Sequence, residues 1–301
     1  MTTASAPPAS QSPASGPPVT GSPVSGSPVT RSPGEEFAAA YLADPATAEV
    51  RFDFTITDAF QPTKERPRVT VRNLFRKRMV DLDPVRFWCE RRPDAAEAAT
   101  VHEVQLRREA AFRFGMAQAG VHPVRAWVQL PAELAEDPEG LAVFVDYRLL
   151  VRLATAENQA LTIGEHGLLR HPEIAKLPYR HDWLTGLLAA CDEIEQTGAT
   201  PHAMIVNPRD YYTHLLGRGS LLADLTRNGV QISRTRMVAP GEAVVGDFAM
   251  AARLLDAGRS AIRVAVPPPG TFATDGPAVC AEIHEGLAIH LPTHFFHVVP
   301  A

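Results

Sequence analysis

The most constraining stretch of this chain is residues 137–164, DPEGLAVFVDYRLLVRLATAENQALTIG. Asp137 is placed as an N-cap. Pro138 takes the first helical position, where its missing N–H is no loss, and Glu139 sets an acid in the first turn against the positive end of the helix dipole. Leu141, Val145, Leu149 and Leu153 recur every fourth residue, Phe144, Leu150 and Val151 widen that stripe, and Gly164 is placed to end the helix. The spacing predicts a helix of about 25 residues, a rod of roughly 37 Å. A helix this long in a globular chain is expected to be a spine on which other elements are laid.

The surroundings of that rod fix what kind of protein it serves. At 301 residues, with 45% apolar and 21% charged content, the chain can bury a large core in one or two domains. A formal charge of −5 provides no basic field to neutralise phosphates, so no nucleic-acid partner is expected. The basic stretches Arg72–Arg78 and Arg107–Arg108 are local, and read as strand edges facing solvent or another copy of the chain. Cys89, Cys191 and Cys280 are scattered and lack C-x-x-C spacing, which indicates neither a disulfide framework nor a zinc site and fits a reducing, cytoplasmic setting. No apolar run reaches the roughly 18 residues of a membrane span, and no secretory leader pattern opens the sequence.

Residues 1–34 differ in kind from the rest. They are Pro, Ser, Thr, Gly and Ala with the imperfect repeat PVTGSPVSGSPVTRSP (residues 18–33), and Arg31 is their one charged residue. Such a composition cannot bury enough surface to offset its ordering entropy, so a disordered tail is expected, serving as spacer, tether or partner-binding arm. EVRFDFTITDAF (residues 49–60) alternates like a strand, and a basic segment follows as far as Met79. DPVRFWCERR (83–92) and ATVHEVQLRREAAFRFG (99–115) read as two extended polar arms with too few apolar residues for a core of their own; such a hairpin needs another surface to lie on. VRAWVQLP (124–131) is a short strand. Past the spine, Trp183, Leu187, Cys191 and Ile194 mark an amphipathic helix, Ala203–Val206 a buried strand, and Asn207-Pro208 a helix start. GVQISRTRMV, AVVGDF and SAIRVAV supply further β segments, AMAARLLDAG (249–258) reads as a helix between the last two, and AVCAEIHEGLAIHLPTHFF (278–296) as one or two strands.

No constellation of catalytic type stands out. His290, His294 and His297, with His284 nearby, suggest a metal only if helical, and Pro292 together with the strand-like alternation opposes that. Gly217-Arg218-Gly219-Ser220 lacks the full phosphate-loop pattern and follows a helix; it reads as a turn at a domain tip. Glu165 with His166, and His102 with Glu103, lie in no G-x-S-x-G or H-E-x-x-H context.

Element order carries more information than any motif. The arm pair ending near Glu109, the strand and helix of AWVQLPAELAEDPEGLAVFVDYRLLVRLATAENQALTIGEHGLL, the helix–strand–helix of CDEIEQTGATPHAMIVNPRDYYTHL, and GEAVVGDFAMAARLLDAGRSAIRVA with its G-x-x-V-V-G-D-F segment follow one another at characteristic spacing. In this the chain, from about Pro84 to Phe296, resembles the HK97-type major capsid fold and, within it, the encapsulin shell proteins that build protein compartments in bacteria and archaea. The resemblance implies an α+β fold with an E-loop hairpin (83–115), a P-domain holding the spine helix (116–170), a mixed-sheet A-domain (171–276) and closing strands (277–301), preceded by an N-terminal arm (35–82). It implies a self-assembling icosahedral shell, not an enzyme and without a cofactor, whose partners are copies of itself and an enclosed cargo enzyme. Glu157, Asn158, Glu165 and His166 then belong to the end of the spine and carry no catalytic role. Arg86, Glu90, Arg91, Arg107, Arg108 and Glu109 become candidate E-loop charges at the contacts between neighbouring copies, and Gly217, Arg218, Gly219 and Ser220 candidate pore-lining residues. The Pro/Ser-rich tail stands where many phage capsid proteins carry a charged scaffolding segment, which favours an encapsulin; a phage major capsid protein is the alternative. Residues 35–78 match no encapsulin pattern closely and are nearest to the subgroup found beside natural-product biosynthesis genes.

Overall fold

In a computed structural model of the chain, which describes residues 31–52, 71–91, 113–271 and 278–301, Asp137 caps the spine helix as expected: its carboxylate accepts from the Gly140 N–H at 3.0 Å. The helix runs through Pro138–Phe144 and Leu150–Thr162, joined by one wider π-type turn at Val145–Leu149. Leu141, Val145, Leu149 and Leu153 are all fully buried. Val151 is not part of that stripe: it is exposed, because the wider turn adds a residue to the helical count and swings the positions after it around the axis. Gly164 does stand just past the last turn, though not in the left-handed conformation. Its amide and that of Ile163 both donate to the Gln159 carbonyl, and a Cβ there would come within 2.6 Å of the Ala160 carbonyl oxygen.

A second helix, which the periodicity does not reveal, precedes the spine. Helix α1 (Pro33–Ala43) begins at a capping box in which Ser32 and Glu35 bond each other's backbone amides. It lays Phe37, Ala38 and Tyr41 into the core shared with the spine helix.

Two five-stranded sheets complete the scaffold. In the first, β1 (Glu49–Arg51), β10 (Ala252–Ala265), β11 (Ala278–Ile289) and β5 (His122–Gln129) pair antiparallel in that order, and β2 (Arg76–Met79) adds to β10 in parallel. Ile262, Val279, Ala281 and Ile283 from this sheet meet α1 and the spine helix in one core. The second sheet is mixed as expected, in the order β6 (Ala175–Tyr179), β12 (Phe295–Pro300), β9 (Ala243–Gly246), β7 (Ala203–Val206) and β8 (Gln231–Arg234). Trp183, Leu184, Leu187 and Ile194 of helix α2 (Trp183–Gln196) pack on it. Asn207 caps the Pro208 helix start through its side chain, which accepts from the Arg209 N–H at 2.9 Å.

The helix expected over Ala249–Gly258 is not present. Only Phe248–Ala251 make one helical turn; from Ala252 the chain is strand β10. Residues 252–256 are paired on both edges, to Ile289–Glu285 of β11 and, from Arg253, to β2, and those ladders override the local helical preference of ARLLDA. The sheets also interleave the expected segments: β10 pairs with the spine's sheet, and the two closing strands divide, β11 to the first sheet and β12 to the second.

Candidate functional site

Strands β3 (Val85–Arg91) and β4 (Arg113–Ala119) form a two-stranded sheet of their own, the base of the hairpin expected over 83–115. Its tip, with Arg107, Arg108, Glu109, His102 and Glu103, lies outside the described residues, as do the strand residues beyond Phe52 and the tail as far as Thr30. Alternation splits the base into two faces. Phe87, Cys89, Gly115 and Ala117 turn toward the body of the chain. Trp88, Met116 and Phe114 turn outward, 62%, 52% and 55% exposed, with Trp88 and Met116 directly opposite each other in the ladder. Arg86 and Arg91 are exposed as well.

Glu90 is placed differently. It is buried; its carboxylate accepts from the Thr293 hydroxyl at 3.4 Å, and its N–H donates to the His290 carbonyl at 2.8 Å. The His290 ring in turn meets the Trp88 carbonyl through Nδ1 at 3.2 Å and the Phe87 ring edge-on at 4.8 Å. Glu90 thus fastens the hairpin to its own subunit. Burial holds the His290 imidazole below its ordinary pKa, against the opposing bond to the Trp88 carbonyl.

A short link, residues 80–84, joins the hairpin to β2, and β2 leads to a buried charge cluster. The Arg72 guanidinium, from the helical turn Val71–Leu74, lies 2.9 Å from Glu157 of the spine, 3.1 Å from Asp256 of β10 and 3.8 Å from Glu285 of β11. Lys77 adds a second cation, 2.9 Å from Asp256. Glu157 is completely buried and Glu285 nearly so. Burial pushes both carboxyls up, Glu285 strongly; Arg72 offsets part of this for Glu157, while the neighbouring Glu157 adds to it for Glu285. Asp256 goes the other way: burial opposes ionisation, but the Gly258 N–H at 2.7 Å, Lys77 and Arg72 outweigh it. Asn158, beside Glu157, accepts from the Val71 N–H at 3.0 Å. The cluster left one trace in the sequence: the every-fourth-residue stripe that runs through Leu153 lands next on Glu157, then on Leu161.

The remaining candidates do not converge on chemistry. His166 stacks on His122, ring centroids 4.0 Å apart, in a groove of about 560 Å³ that also receives Phe87, Glu165, Arg170 and His171. Burial and the neighbouring His166 lower the His122 pKa, and among the described residues no Ser, Thr or Cys lines the groove. His297 bonds Glu242 at 3.0 Å and His284 lies 3.3 Å from Glu282, so these histidines are held apart in separate contacts. Among the described residues no group of three or more His, Cys, Asp or Glu is arranged to hold a metal, and no helix is long and apolar enough to cross a membrane.

The whole arrangement has counterparts. Over 217 residues the chain is 22% identical to the major capsid protein of Enterobacteria phage HK97, covering 65% of this chain and 56% of that one; the chain thus spans little more than half the length of this relative. In three dimensions it is similar to a virus-like particle from Pyrococcus furiosus, with a TM-score of 0.57 at 15% identity over 76% of this chain and 91% of that one. It is also similar to a chain of Mycobacterium phage Cain, with a TM-score of 0.52 at 11% identity over 78% and 90%. The fold is the HK97-type capsid fold. No protein-family model matches the chain.

In HK97 terms the β3–β4 base belongs to the E-loop hairpin, the spine helix to the P-domain, and the second, mixed sheet to the A-domain. Gly217, Arg218, Gly219 and Ser220 are all exposed on the A-domain side of the fold. Arg218 directly precedes helix α3 (Gly219–Arg227), so Ser220 lies in a first helical turn and not in a free loop. No side chain of α3 is buried within the chain's own fold.

Proposed function

We propose that this chain is the self-assembling shell protein of an encapsulin nanocompartment, a closed icosahedral particle that encloses a cargo enzyme within the cytoplasm and passes small molecules through pores. The observation that carries the reading is the outward face of the E-loop root. Trp88, Phe114 and Met116 are large, mostly exposed, and gathered on one face of a hairpin that Glu90 and the backbone edge of β3 fasten to its own subunit. Water disfavours such an apolar group unless a partner covers it. A hairpin reaching from one copy onto a different surface of the next makes a heterologous contact, which closes into a shell when its rotation allows. The HK97-type fold supports this partner being another copy.

Composition supports the encapsulin over the phage capsid: residues 1–34 are Pro/Ser-rich with the single charge of Arg31, unlike a charged scaffolding segment. The relation to the HK97 major capsid protein is what favours the second reading, a phage shell. Expression of the chain alone, followed by size-exclusion chromatography and negative-stain electron microscopy, tests assembly: uniform hollow particles are expected, and a monomer or dimer refutes self-sufficient assembly. Trp88→Glu is expected to abolish the particles while leaving the far-ultraviolet circular dichroism of the chain unchanged. Particles that co-purify with one enzyme encoded beside the gene support the compartment; portal, terminase and tail genes at that position support the phage.

A further inference from the structure

The charge cluster between β2 and the spine helix is out of balance among the described residues. Three carboxylates, Glu157, Asp256 and Glu285, there face two cations, Arg72 and Lys77, in a site sealed from water at its centre. With every group ionised the site encloses one net negative charge, and an uncompensated buried charge is costly enough that such a group takes up a proton instead. The distances say where the shortfall falls. Arg72 is in full contact with Glu157 and Asp256 but 3.8 Å from Glu285, and Lys77 serves Asp256. Beyond Arg72, no carboxylate oxygen of Glu157 or Glu285 meets a hydrogen-bond donor among the described residues. Both carboxyls converge on the one Arg72 guanidinium, and a proton held by either of them relieves the repulsion between the two.

We propose that Glu157 and Glu285 share one proton that acts as a pH-operated latch, closing the segment Val71–Met79 onto the spine helix. That segment is the cover of the site. It supplies both cations, and it is held by a four-residue edge strand, by the Val71–Asn158 bond and by the buried Val71, Leu74 and Phe75. The other walls are fixed more firmly: Glu157 in mid-spine, and Asp256 and Glu285 opposite each other in the long β10–β11 ladder. Among the described residues the other charged and titratable groups around the pair are few. Arg76 and Arg78 of β2 are exposed, and His122 of β5, across the ladder from Glu285, stacks on His166.

When the proton leaves, the second carboxylate charge stays beside Glu157 unless water reaches it, and lifting Val71–Met79 admits that water. Ionisation strengthens the pull on Arg72, but Arg72 already neutralises Glu157 and cannot fully serve both acids. Because the closed chain holds the proton more tightly than an open one, closure is at full strength below the ordinary carboxylate pKa. It weakens as pH rises toward the raised value, by about tenfold per pH unit for one proton, and levels off above it. The inference concerns the single chain's own fold and holds for a compartment or a phage shell alike.

Hydrogen–deuterium exchange of residues 71–79 from acidic to alkaline pH, corrected for the intrinsic rate, tests it on the full chain in its purified assembly state. The wild type is expected to lose protection there by about tenfold per pH unit over the titration window. Glu285→Gln, which mimics the protonated group, is expected to hold protection constant. Infrared difference spectra should show a protonated carboxyl band that vanishes over the same pH window as the loss of protection and is missing from the variant. Should Glu285→Gln fail to fold, Glu157→Gln serves in its place with the same expectation. A flat wild-type profile, an equal slope in the variant, or no carboxyl that stays protonated above the ordinary carboxylate range overturns the latch. So does particle disassembly, followed by light scattering, that leaves residues 71–79 equally protected.

Discussion

Gly34→Ala tests the docking of α1 on the spine more directly than any core truncation. A Cβ at Gly34 would sit 2.2 Å from the Ala142 carbonyl oxygen and 2.8 Å from the Asp146 carboxyl carbon, where real contacts do not fall below 3.0 Å. The obstacle is backbone, so it cannot rotate aside. Helix α1 must retreat or pivot, and either movement strains the 2.9 Å bond from the Gly34 N–H to Asp146 and loosens Phe37, now fully buried. Overpacking costs about 1–3 kcal/mol, and weakening a hydrogen bond to a carboxylate about 1.5–3 kcal/mol. Ala is a better helix former than Gly by up to about 1 kcal/mol, which leaves a net loss of about 2–4 kcal/mol. Guanidinium unfolding followed by tryptophan fluorescence, with limited proteolysis of the α1–β1 link, measures it. A midpoint at or above that of the wild type, with α1 still resistant, would mean that only helix propensity acts at residue 34 and that the close approach is wrong.

Two further outcomes follow from the charged residues. Arg72→Met should destabilise the chain by about 3–5 kcal/mol, since it leaves buried carboxylates without their counter-charge. The loss should be smallest in acid, where the acids take up protons, and grow with pH; adding Glu157→Gln should recover part of it, and additive effects in that double-mutant cycle would deny the coupling. Arg218→Glu, if these residues line a pore, should slow the entry of small anions into intact particles relative to cations of the same size, and equal entry rates would remove Arg218 from the pore.

Much of the scaffold is legible in the sequence because the signals are local. Asp137, Pro138 and the fourfold leucine/valine spacing fix the start and the buried face of the spine, and Asn207-Pro208 fixes the helix start after β7, because caps and periodicity depend on neighbours within a turn or two. The polar hairpin follows from its lack of core-forming residues. The capping box of α1 is equally local, in Ser32-Pro33-Gly34-Glu35, but it adjoins the Pro/Ser-rich stretch and merges with it in composition.

What the sequence by itself determined was therefore the order of the elements and the resemblance built on that order. The tertiary structure decided what depends on distant partners. Ala252–Asp256 became strand because β2 and β11 offered ladders on both sides, and the wider turn at Val145–Leu149 put Val151 outside the stripe. Glu90 turned inward because Thr293 and His290 wait there, 203 and 200 positions further along. Arg72, which in sequence is one member of a basic run, became the counter-ion of Glu157, Asp256 and Glu285. The physical reason is common to all of these: a charge or an edge strand has no fixed local preference, and its state is set by the group that folding brings to face it.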